Sequence, residues 1–230
     1  MSFSNCILVL GVHRSGTSCI AGILHHLGVQ MGEQLLPSNE KNPTGFFEDL
    51  DFADLHHKIL FDWMKPDVFV EHRITWLVNN EHIYEDLIKK KMKNSLWGLK
   101  DPKLCFTIDC FVNISKHIGL QLKIINTERQ FNDIIRSFTS ESFGKQSRYN
   151  WETKMFEDST FSNEEAKTIT NLYLQAKNNF LEHYKGDMLT VNYPDVSVEK
   201  IAQFVGLPVN EKAMAFVKPE LCHYNTKVFL

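Results

Sequence analysis

Short, continuously apolar runs alternate along this chain with longer stretches in which apolar residues recur at helical spacing. The first run, Cys6-Ile7-Leu8-Val9-Leu10, favours a strand and ends at Gly11. Ile20, Ile23, Leu24 and Leu27 then predict a helix over 16–27, which Gly28 is placed to stop. A polar, turn-rich connection over 28–51 follows and ends in Gly45-Phe46-Phe47-Glu48-Asp49. Phe52, Leu55, His56, Ile59, Leu60 and Trp63 predict a second helix. Pro66 interrupts, and a further helix is expected over 81–92, its basic end Lys89-Lys90-Lys91-x-Lys93 suiting a helix C-terminus.

The second half repeats the alternation. Strands are expected at 96–99, 122–126 and 188–191. Helices are expected over 106–117, from Phe131 to Phe138, and from a capping box at Ser162 and Glu165 through Ile169, Tyr173 and Phe180. A last one, capped by Ser197, carries Ile201, Phe204 and Val205. The stretch 140–161 has no clean period and reads as a mobile segment. Strands alternating with helices predict an α/β fold: helices on both sides of a mainly parallel sheet of about four to five strands. The 230 residues are expected to form a single domain, 1–230.

Composition narrows this picture little. The net charge of −3 points to neither nucleic acid nor a membrane surface, so a polyanionic ligand needs a locally positive pocket. Five cysteines without C-x-x-C spacing read as reduced thiols of a cytoplasmic protein. No signal peptide is expected, and no apolar run approaches the roughly 20 residues of a membrane span. The histidines and cysteines have no zinc spacing, and no metal is expected.

The chemistry is concentrated at the ends of the predicted strands. After the first comes Gly11-x-x-x-x-Gly16-Thr17-Ser18, the spacing of a phosphate loop with threonine where the lysine normally stands. The cation sits earlier, on Arg14. A strand, a glycine loop and a helix start together aim backbone N–H groups at an anion. Lys100 ends the second strand and supplies a mobile point charge. Arg129, Asp133 and Ser137 recur every four residues after the third, which on a helix places them on one face, where Arg129 and Ser137 could grip one anion. Tyr193-Pro194-Asp195 follows the fourth.

Arg14-Ser15-Gly16-Thr17-Ser18, followed by Arg129-x-x-x-Asp133-x-x-x-Ser137, resembles the sulfotransferase family that uses 3′-phosphoadenosine 5′-phosphosulfate (PAPS). Asn42-Pro43-Thr44-Gly45-Phe46-Phe47-Glu48-Asp49 is similar to a segment of bacterial sulfotransferases, and Tyr193-Pro194-Asp195 to the family's Y-E-D turn. The C-terminal G-x-x-G-x-x-K element of the cytosolic aryl sulfotransferases is absent. The resemblance implies a P-loop-like α/β/α fold. It also implies transfer of a sulfuryl group from PAPS, with adenosine 3′,5′-bisphosphate (PAP) as product and no metal. His13, Arg14, Ser15, Gly16, Thr17 and Ser18 would hold the 5′-phosphosulfate; Arg129, Asp133 and Ser137 would hold the 3′-phosphate; Tyr193 would approach the adenine. Arg14 and Lys100 would stabilise charge on the leaving phosphate.

The acceptor, a small molecule, a sugar or a peptide, must lose a proton, so a general base is expected. Glu48 is the first candidate and Glu33, just after the first helix, the second; Asp101 and His56-His57 follow. Phe46, Phe47, Trp63, Trp76 and Trp151 are candidates for the acceptor wall. Two other functions compete: a small P-loop kinase, disfavoured by Thr17, and a non-catalytic PAPS- or nucleotide-binding module.

Overall fold

The structure, a computed structural model, describes residues 5–39, 42–60, 66–140, 148–150, 152–157 and 160–217, without the side chains of 66–76, 78, 148, 149, 156 and 157. The first apolar run forms β1 (Asn5–Leu10). It is one of two inner strands of a four-stranded, wholly parallel sheet, between β2 (Leu96–Lys100) and β3 (Gln121–Glu128), with β6 (Met188–Asn192) beyond β3. The register sets Leu8 beside both Leu99 and Ile124. Outside β2 a single parallel bridge joins Gln30 to Trp97.

β1 is covered on both faces, which is why its sequence is continuously apolar rather than alternating. Cys6, Leu8 and Leu10 enter one core with Phe52, Tyr84, Trp97, Phe111, Tyr173 and Phe180. That side is built by α2 (Leu50–Leu60), α3 (Pro66–Lys91), α4 (Leu104–Ile118), α5 (Phe131–Phe138) and α6 (Asn163–His183). Ile7 and Val9 enter the opposite core with Ile20, Ile23, Leu24, Ile201 and Val205. That side is built by α1 (Thr17–Leu27), α7 (Val198–Val205) and α8 (Glu211–Phe216). The result is the expected α/β arrangement, with four strands in the central sheet.

Local signals explain most boundaries. Gly28 and Gly206 end α1 and α7 in left-handed conformations, and Ser162 and Glu165 form a complete capping box on α6. One expectation is corrected. Pro66 opens α3 instead of breaking a helix, because the first helical position needs no N–H donor; the expected helix over 81–92 is the second half of α3, after a kink at Asn80. Of the stretch read as mobile, 141–147, 151 and 158–159 lie outside the described residues, and the rest holds an antiparallel pair, β4 (Arg148–Asn150) and β5 (Met155–Glu157). Its turn is made locally, by the Asn150 side chain accepting from the N–H groups of Glu152 and Thr153. Trp63, Trp151 and the side chain of Trp76 lie outside the described residues. Among the described residues no helix is long and apolar enough to cross a membrane.

Because the four strands are parallel, their carboxyl ends share one edge of the sheet. The Gly11 loop, Lys100, Arg129 and Tyr193 all lie at that edge. Replacement of Leu8, fully buried in the middle of β1, by alanine should lower unfolding free energy by about 2–5 kcal/mol in urea titrations.

Candidate functional site

The loop between β1 and α1 is shaped for an anion. Gly16 precedes α1 at φ 94°, a left-handed conformation, and no side chain caps the helix. The first turn of α1 also carries no acidic residue, so the positive end of its dipole is not neutralised within the helix. Gly11 lies so close to Thr127 Oγ1 that a side chain would overlap it. Ser15 Oγ donates to the Val12 carbonyl at 2.7 Å and sits 2.8 Å from Thr127 Oγ1. The loop is therefore tied to the end of β3.

Arg14 also adopts a positive φ, 65°, which is rare for a residue with a side chain. Its Nε donates to Ser137 Oγ on α5 at 2.8 Å, and its carbonyl accepts from Arg129 Nη1 at 2.8 Å. The Arg129 guanidinium lies over the Tyr193 ring, 5.1 Å from its centroid, and that ring packs against Gly16. Tyr193 N–H donates to the Glu128 carbonyl at 2.7 Å. Thus the glycine loop, the last turn of α5 and the turn after β6 form one cradle beside Arg129. Asp133, expected beside Arg129 at the 3′-phosphate, has its carboxylate 3.7 Å from Arg136 on the same helix.

A second group stands beside the loop. Lys100 Nζ lies 2.5 Å from Glu48 Oε1 and 3.1 Å from Ser18 Oγ, and Lys100 and Glu48 are both buried. Phe47, at φ 55°, directs the chain so that Glu48 reaches the strand ends. Glu33 is not brought there. It is exposed and ion-paired with Lys93, whose hydrogen bond holds its carboxyl below the ordinary range.

Asp101 and His56 are sealed behind the site instead of facing it. His56 Nδ1 lies 2.9 Å from Asp101 Oδ2, and its Nε2 lies 2.9 Å from the Tyr84 hydroxyl, all fully enclosed. Asp101 also accepts from Lys103 N–H and Nζ, at 2.9 and 3.1 Å. Burial pushes its carboxyl up, but Lys103 and His56 outweigh that and hold it far below the usual range. Neither residue is positioned to take a proton from an acceptor; they brace the turn after Lys100. His13 lies in the loop, with its ring set against Tyr173 and Phe138 at 5.0 and 6.2 Å. Burial, with the Lys103, Lys100 and Arg14 cations, pushes its imidazole down to about 3 against the pull of Asp101, so it is neutral at pH 7.

Three contributors escaped the sequence reading: Thr127, Lys103 and Lys177, a buried lysine on α6 that donates to Glu128 at 2.9 Å. Lys177 was detectable as a charge within the apolar stripe Ile169, Tyr173 and Leu181. The residues present suit a bis-anionic nucleotide. An uncapped helix start, two arginines and a lysine converge, and Arg129 Nε is buried with no hydrogen-bond partner among the described residues.

No family model matches the chain, and no curated protein does. Solved structures do. The chain is similar to the sulfotransferase STF1 of Mycobacterium tuberculosis H37Rv, at TM-score 0.55 and 17% identity, over 95% of this chain and 72% of that one. It is similar to the sulfotransferase domain of the Synechococcus PCC 7002 olefin synthase, at TM-score 0.51 and 16% identity, over 96% and 80%. It is also similar to the sulfotransferase domain of the curacin biosynthetic pathway, at TM-score 0.51 and 14% identity, over 98% and 82%. At these identities the likeness is one of fold.

Asp101 gives a pH test. Its depressed folded-state value means that its stabilising contribution is complete above the unfolded carboxylate value of about 4 and is lost as pH falls below it. The stability gap between wild type and Asp101→Asn, followed by denaturant titration, should therefore narrow steadily from pH 5 towards about pH 2.

Proposed function

We propose that this protein is a sulfotransferase that uses PAPS and acts on a hydroxyl or amine of a small-molecule, sugar or peptide acceptor. The observation that carries the reading is the double contact of Arg129, with the Arg14 carbonyl of the glycine loop and with the Tyr193 ring. It joins into one cradle the two motifs that resemble the family's 5′- and 3′-phosphate elements. The fold likeness to three sulfotransferases supports the same class. Four described cysteines are free thiols, which suits the cytoplasmic location expected for such an enzyme.

PAPS supplies the sulfuryl group, whose bond to the 5′-phosphate oxygen breaks as a bond to the acceptor heteroatom forms. The residues of the chain have separate tasks. The N–H groups at the start of α1, with Thr17 and Ser18, orient the 5′ end, while Ser15 fastens the loop to β3. Arg129 and Ser137 take the 3′-phosphate, and the Tyr193 ring borders the base. The leaving phosphate gains charge, which Arg14 and Lys100 offset within a buried site where such contacts act strongly. Glu48 takes the acceptor proton, and its contact with Lys100 orients the carboxylate next to the loop.

Thermal stabilisation separates this reading from a kinase. Adenosine 3′,5′-bisphosphate should raise the melting temperature by mass action, whereas a response only to ATP with magnesium would sink the proposal. Arg129→Ala should weaken bisphosphate binding by roughly ten- to hundredfold in calorimetry, the scale of one charge-assisted contact. Glu48→Gln should bind the bisphosphate as wild type does but show no sulfuryl transfer to an acceptor found by panel screening. Full activity in that variant would place the base elsewhere.

A further inference from the structure

Lys177 is 1% exposed, on the face of α6 that packs under the end of β3. A buried ammonium is retained only with partners, and its partners are Glu128 Oε1 at 2.9 Å and the Thr127 carbonyl at 3.5 Å. Glu128 also accepts from Asn126 Nδ2 at 3.0 Å. It is the residue immediately before Arg129, and its own carbonyl holds Tyr193. A carboxylate in that place is chemically awkward. It would repel a dianionic phosphate arriving at Arg129, and it could capture the Arg129 guanidinium for itself. Burial raises the Glu128 carboxyl, yet the Lys177 and Asn126 hydrogen bonds outweigh it, so the group is ionised and its charge must be answered.

We infer that Lys177 is a positioning residue for nucleotide recognition: it draws the Glu128 carboxylate onto α6 and neutralises it, leaving Arg129 free to select ligands bearing a 3′-phosphate. This rests on the PAPS reading above. It adds a charge-balancing pair that touches no ligand and lies outside both recognised motifs. The pair's location explains why a lysine occupies a core position that the helical stripe reserves for an apolar side chain.

The readout is the ratio of affinities for adenosine 3′,5′-bisphosphate and adenosine 5′-monophosphate, measured by calorimetry on each variant. A packing defect lowers both affinities together; a charge defect lowers the ratio. Lys177→Met keeps the length of the side chain and removes its charge, and should reduce the ratio by about tenfold. Adding Glu128→Gln to it removes the unanswered carboxylate and should restore the ratio, which a structural role would not do. Glu128 is 41% exposed on its side chain, so Glu128→Gln alone should fold and leave the ratio equal to or above wild type. That variant decides the matter if Lys177→Met fails to fold. An unchanged ratio in Lys177→Met, a double variant no better than it, or a fall in Glu128→Gln would each overturn the inference. Absence of bisphosphate binding in the wild type overturns the PAPS reading itself, and is seen before any variant is compared.

Discussion

Arg129 reaches from the end of β3 to the backbone of the glycine loop and lies across the Tyr193 ring, so segments that follow three different strands share one guanidinium. The arrangement works because planar guanidinium can donate along its edge while stacking by its face. It also depends on close approach of the backbone: Gly16 leaves room for the Tyr193 ring and Gly11 for Thr127. The parallel sheet makes the meeting possible, since only parallel strands deliver successive chain segments to the same edge.

Charge burial follows the same geography. Lys100 with Glu48, Asp101 with His56 and Lys103, and Lys177 with Glu128 all sit at or just behind the carboxyl ends of the strands. Buried pairs of this kind add little net stability compared with apolar packing, although losing one partner is costly. Three of them gather at one edge, a pattern common to functional sites and to structural ion-pair networks. The end of α3 holds a further buried pair, Lys91 with Asp49 at 2.8 Å, away from those strand ends. Lys89 with Glu85 on α3 and Lys93 with Glu33 between loops lie at the surface, where solvent screens them.

The likeness to sulfotransferases at under one-fifth identity fits this division of labour. Two apolar cores on either side of β1 tolerate many sequences with the same pattern. The candidate chemistry lies in the strand-end loops, not in the sheet.

The sequence by itself determined the alternation of strands and helices, the glycine loop, the capping box of α6 and the residues Arg14, Lys100, Arg129 and Tyr193, because each rests on local periodicity or on backbone demands within a few positions. Pro66 shows the limit of such signals: proline is compatible with both a helix break and a helix start, and only the surrounding chain decides which. Tertiary structure alone separated Glu48 from Glu33. Both are carboxylates after the first helix, but one is carried to Lys100 and the other to a surface lysine. It likewise withdrew Asp101 and His56 behind the site and set Lys177 beneath Glu128. These outcomes depend on contacts between residues far apart in the chain, which no periodicity records.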